Sequence, residues 1–202
     1  MDKPSSDVAF TSAVKAVQSA RGSRRSYQRM EERGGFETEV TEGLAAFIAG
    51  LDSFYLATAN AQGQPYVQHR GGPPGFLQVL DAQTLAFADY AGNRQYVTTG
   101  NLAENDQAFL FLMDYQHQQR IKIWGRARVS ADPALVAKLM PEGYAAKPEQ
   151  AIVLRLSAWD ANCAQHIPRL VPAARVEALE EENAALRAEL AQARSGAGPA
   201  AR

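Results

Sequence analysis

A chain of 202 residues with 46% apolar side chains supports one buried-core domain plus extensions, and a formal net charge of −1 argues against a general role on nucleic acid or a membrane surface. Its single cysteine, Cys163, excludes an intramolecular disulfide and fits a reducing compartment. The opening MDKPSSDVAF lacks the apolar run of a secretory leader and no apolar stretch reaches membrane-spanning length, so a cytoplasmic protein is expected.

Residues 1–36 read as an N-terminal helical and basic extension. Phe10, Val14 and Val17 fall at i, i+4 and i+7, which predicts a short amphipathic helix stopping near Gly22. Arg21, Arg24, Arg25, Arg29 and Arg33 follow. They suit either an anion-binding arm or a solvated arm partly neutralised by Glu31 and Glu32, and the second reading is preferred because dispersed arginines carry little specificity. A main domain is expected over 37–172. Leu44, Phe47, Ile48 and Leu51 mark one face of a helix capped by Thr38 or Thr41 and ended by Gly50. SFYLATA reads as a strand and AQGQ as a turn.

The stretch from Pro65 to Leu102 organises the rest. PYVQHR predicts a strand with Tyr66, Gln68 and Arg70 on one face and Val67 and His69 on the other. GGPPG is a loop, and FLQVL and TLAFA read as a hairpin. ADYAGN reads as a loop, and RQYVTTGNL as a helix with Asn93 as N-cap and Gly100 as its stop. A Gly-Asn turn, Arg94 and a helix start make a candidate anion site, since free N–H groups, the helix dipole and a guanidinium fork all favour negative charge.

QAFLFLM (107–113) is apolar on both faces and predicts a buried strand. RIKIWGRARV alternates cleanly, with Ile121, Ile123, Ala127 and Val129 toward a core and Arg120, Lys122, Trp124, Arg126 and Arg128 opposite. LVAKLM, started at Asp132-Pro133, predicts a short helix and AIVLRLSAW a closing strand. Cys163 and His166 form a single C-x-x-H, too little for a zinc site, so no metal is expected. No Ser-His-Asp arrangement, Walker or Rossmann glycine pattern is recognisable. In the tail, 173–202, Val176, Asn183 and Leu190 fall at heptad a, and Leu179, Leu186 and Ala193 at d, which predicts a helix able to form a parallel two-stranded coiled coil. SGAGPAAR reads as disordered.

HRGGPPGF, AFADYAGNRQYVTTGNL and RIKIWGRARV resemble the FMN-binding split-barrel proteins related to pyridoxamine 5′-phosphate oxidase, nearest the predicted flavin-nucleotide-binding branch, over roughly residues 10 to 170. The resemblance implies a mainly β, α+β fold: a six-stranded antiparallel split barrel with flanking helices. It also implies a homodimer with FMN at the interface. Asn93, Arg94 and Gln95 match the family's phosphate block. Gln68, His69 and Arg70 are candidates for the pyrimidine edge of the ring, with His69 assigned no catalytic role. Arg120 and Lys122 sit where the family contacts the ring across the interface, and Trp124, Tyr90 or Tyr66 could shield it. The implied activity is a flavin-dependent oxidoreductase acting on a small molecule, with reduced nicotinamide as a candidate electron donor. Alternatives are a non-catalytic flavin-binding or sensor module, pyridoxamine 5′-phosphate oxidase-like activity, or a haem or deazaflavin cofactor. The chain lacks the Arg- and Pro-containing tail of the true pyridoxamine phosphate oxidases, which counts against vitamin B6 oxidation.

Overall fold

The computed structural model describes residues 3–161 and 164–196. Cys163 therefore lies outside the described residues, as does the tail beyond Gly196 that the sequence assigns to disorder. Seven strands are described: β1 (Ser53–Ala59), β2 (Pro65–Gly71), β3 (Gln78–Asp81), β4 (Thr84–Tyr90), β5 (Gln107–Asp114), β6 (Gln119–Ser130) and β7 (Pro148–Ala161). They form one sheet in the order β2-β1-β5-β6-β7-β4-β3, with every pairing antiparallel. The expected number of six is thus corrected to seven. Among the described residues the short edge strand β3 pairs only with β4, so the FLQVL–TLAFA hairpin supplies two strands of its own.

Six α-helices are described: α1 (Ser12–Ala20), α2 (Arg24–Glu31), α3 (Glu42–Ala49), α4 (Val97–Glu104), α5 (Pro133–Leu139) and α6 (Ala173–Gly196). Alternation along the strands builds the main core. Phe54 and Leu56 of β1 meet Leu110 and Leu112 of β5, Ile121 and Ile123 of β6, and Leu154 and Leu156 of β7, all buried. Burying each such side chain stabilises the fold by about 1.5–3 kcal/mol. α3 adds Leu44 and Ile48 to this core, and its start is fixed where Thr41 Oγ1 accepts a hydrogen bond from the Leu44 N–H at 3.2 Å. A second core lies on the other face of β4 and β7, where α5 sets Leu139 against Ala86, Ala88, Ala151 and Val153. The β6–β7 register shifts between Trp124 and Gly125, and a Cβ at Gly125 would collide with the Arg155 carbonyl oxygen.

Two expectations need correction. β4 continues through Ala88-Asp89-Tyr90, so ADY is strand rather than loop. α4 starts at Val97, not Asn93, and runs through Gly100 to Glu104. Burial of Thr98, Asn101 and Leu102, with Asn101 Nδ2 donating to Thr58 Oγ1 at 3.0 Å, holds this helix past its glycine. Of the coiled coil expected for the tail, the described residues of the single chain hold the helix alone, α6, and contain no coiled coil. All its described side chains through Arg194 are exposed, so it does not lie along the sheet either.

The N-terminal residues grip the sheet through aromatic packing. Phe10 meets Phe36 edge-on at 5.3 Å between centroids, and Phe36 stacks on Trp124 at 5.3 Å and 10°. Ser5 Oγ shares its one proton between the Phe36 and Gly34 carbonyls, at 2.5 and 3.0 Å. Glu31, nearly buried, pairs with Arg24 and with Lys15. Arg21, Arg25, Arg29 and Arg33 stay exposed, as does Val17 at 61%.

Candidate functional site

The site is built where β2 and β4 meet the loop before α4. The alternation of β2 turns Tyr66, Gln68 and Arg70 inward and leaves Val67 and His69 exposed. A cavity of about 210 Å³ is lined there by Gln68, Arg70, Tyr90, Asn93, Arg94 and Gln95. A second, of about 160 Å³, shares Gln68, Arg70 and Tyr90 with it and adds His69. Five of the residues expected to hold a cofactor therefore border one cavity, and His69 borders its neighbour.

Arg70 anchors the floor. Its Nη1 pairs with Asp89 Oδ1, both side chains being 11% exposed, and its guanidinium lies 5.7 Å from the centre of the Phe87 ring. Asp89 Oδ2 also accepts from Gln150 Nε2 at 2.8 Å, and that amide donates to Thr99 Oγ1 at 2.9 Å. Thr98 Oγ1 donates to Gln68 Oε1 at 3.0 Å. A charge-neutral network thus ties β2, β4, β7 and α4 together. Two polar atoms at this floor are buried without a hydrogen-bond partner among the described residues, Arg70 Nε and the Tyr90 hydroxyl. Burial, then Tyr144, raises the Tyr90 pKa, so its hydroxyl keeps its proton at neutral pH and can donate.

The rim is the Asn93–Tyr96 loop. Asn93 Oδ1 accepts from the Gln95 N–H at 3.2 Å, an Asx turn rather than a helix cap. Arg94 and Tyr96 both have left-handed backbones, with φ of 60° and 53°. Two such non-glycine residues in one short loop store strain of order 1–3 kcal/mol each, a pattern that clusters at binding sites. Among the described residues no side chain caps the first turn of α4, so its N–H groups are left for another acceptor beside Arg94. Arg94 is 71% exposed at its side chain, donates from Nε to the Tyr96 hydroxyl at 3.1 Å and lies 3.6 Å from Glu149.

Arg120, Lys122 and Trp124 lie elsewhere. They occupy the outer face of β6, separated from β2 by two strands in the sheet, and line neither cavity. Lys122 pairs with Asp160 at 2.9 Å and lies 5.2 Å from the Trp124 ring centre. Phe36 covers one face of Trp124, and Arg120 Nε is buried without a partner among the described residues. One chain does not bring the two groups together. Arg126 pairs with Asp106 at the surface, and Arg128 is exposed.

Sequence reasoning missed Asp89, Gln150, Thr98 and Thr99. A signal existed for Asp89, a carboxylate directly after the apolar run TLAFA, where a buried acid demands a cationic partner. Gln150 carries no such signal, since a glutamine at a strand start is ordinary. Among the described residues, no group of three or more His, Cys, Asp or Glu could hold a metal, and no helix is long and apolar enough to cross a membrane.

The family profile described as pyridoxamine 5′-phosphate oxidase matches residues 40–163. No curated protein matches the chain. Among solved structures, HupZ of Group A Streptococcus is similar at a TM-score of 0.51 and 15% identity, over 65% of this chain and 99% of that one. An FMN-binding protein from Syntrophomonas wolfei is similar at a TM-score of 0.48 and 12% identity, over 72% of this chain and 97% of that one. At 15% identity the likeness to HupZ bears on fold alone.

Proposed function

This chain belongs to the pyridoxamine 5′-phosphate oxidase family, and from that membership we propose that it binds FMN and serves as a flavin-dependent oxidoreductase for a small molecule. One observation carries the reading: a polar cavity whose floor holds two buried, unpartnered donors and whose rim is an uncapped helix start beside an arginine. These donors fit FMN. Arg94, the Gln95 side-chain amide and the first N–H groups of α4 suit its phosphate, and Arg70 Nε, Gln68 and the Tyr90 hydroxyl suit the carbonyls of its ring. A bound flavin would accept and release hydride or electrons. The chain's own contribution is to bind, orient and set polarity. Asp89 already neutralises Arg70, so the guanidinium fixes ring position more than it favours an anionic reduced ring.

The two cavities, about 210 and 160 Å³, are each smaller than the roughly 300–1,000 Å³ usual for ligand sites. A second copy would complete the site, presenting Arg120 and Lys122 from its β6 face, in line with the homodimer that the resemblance implies. The neutralised Arg70 also favours a second reading, a flavin-binding module without turnover. Both are tested on purified protein reconstituted with FMN. Flavin absorption bands and release of FMN on denaturation are expected, and bleaching by a reduced nicotinamide separates enzyme from module. Failure to bind FMN at micromolar concentration would sink both.

A further inference from the structure

We propose that α6 is a homotypic docking element: it pairs with α6 of a second copy of this chain, in parallel and in register. The helix is continuous from Ala173 to Gly196 and departs from the domain just after Pro172. Its apolar seam is uncovered, with Val176 43%, Leu179 39%, Leu186 56% and Leu190 51% exposed. These residues fall at heptad a and d, the spacing that a coiled-coil partner covers.

The charges beside the seam name the partner. In a parallel pair each g residue faces the e residue five positions on in the other helix. In this chain paired with itself, Arg175 meets Glu180, Glu182 meets Arg187, and Glu189 meets Arg194. All three pairs are of opposite sign and each occurs twice across the two-fold axis. A pairing of a 183 with d 186 in antiparallel sense instead sets Glu182 against Glu189, a repulsion that its Glu180–Arg187 pair only offsets, whereas every pair of the parallel arrangement attracts, so the charges favour the parallel arrangement. Asn183, alone among the a positions in being polar, favours two strands and one register. Its Nδ2 now donates to the Leu179 carbonyl at 3.1 Å, a bond that a cross-seam amide pair can replace.

A parallel pair places the two-fold axis along α6. Both helices must then leave the dimer on the same side, with their Pro172 ends close to that axis. The segment is short, and such coils are marginal alone, so the two domains raise the local concentration of the helices.

The test is disulfide trapping in the full chain with Cys163→Ser. Val176→Cys is the decisive variant, because position 176 meets itself only in a parallel pair, and it is already exposed, so folding is not at risk. Glu181→Cys, at outward position f, is the control. Under mild oxidation, cross-linking of Val176→Cys is expected to run at least tenfold faster than that of Glu181→Cys, and to slow when Glu182 and Glu189 are both changed to Arg. Equal rates at 176 and 181, absence of cross-linking at 176, or indifference to the charge reversal would each overturn the proposal.

Discussion

Arg70 and Asp89 decide how the site is held. Removing one member of a nearly buried ion pair leaves the other desolvated and alone, so Asp89→Ala should cost about 3–5 kcal/mol of stability, read as a lowered denaturant midpoint. The double change Arg70→Met with Asp89→Leu should recover most of that loss while still binding FMN poorly, separating structural from ligand roles. At the rim, Arg94→Ala should weaken FMN roughly tenfold to a hundredfold, the worth of a charge-assisted phosphate contact, whereas Arg126→Ala should change it little. Titrating apo protein with FMN gives both values, and equal effects would show that the phosphate lies elsewhere. The alternation of PYVQHR made Gln68 and Arg70 legible as one face. The partner of Arg70 was not legible, because it comes from a strand nineteen residues away.

Caps and periodicity made most elements readable. Thr41, Asp132-Pro133 and the alternation of β6 sit where simple rules place them. Thr41→Ala should therefore lower stability by about 1 kcal/mol without touching flavin affinity, a split that thermal unfolding and a titration can check. The misread element was α4. Asn93 and Gly100 supply start and stop signals, yet the helix begins three residues after Arg94 and runs through the glycine. Contacts with β1, β2 and β6 override local preference there, and no local rule sees them. The displacement matters chemically, since it makes the Asn93–Tyr96 loop, proposed to hold the phosphate, a strained Asx turn instead of the first turn of a helix.

At the scale of the molecule, seven strand-like runs were legible, whereas their order in the sheet was not. That order separates Gln68 and Arg70 on β2 from Lys122 and Trp124 on β6, with β1 and β5 between. A site using both groups needs two chains. The outer face of those strands is suited to being covered, with Tyr55 37% and Val67 59% exposed beside half-buried Phe109 and Phe111. FMN affinity should then depend on protein concentration: dilution that splits the dimer should release flavin, and saturating FMN should hold the dimer together by mass action. Val67→Glu tests this cleanly. The residue is already exposed, so the monomer should fold with unchanged circular dichroism, while a carboxylate buried against the partner should oppose association. Sedimentation at several concentrations, paired with fluorescence titration of FMN, should show a shift toward monomer and at least a tenfold loss of affinity, about 1.4 kcal/mol. A monomeric Val67→Glu protein that binds FMN as tightly as the parent would place the whole site within one chain, and would return Arg120, Lys122 and Trp124 to the role of an outer sheet face packed against Phe36.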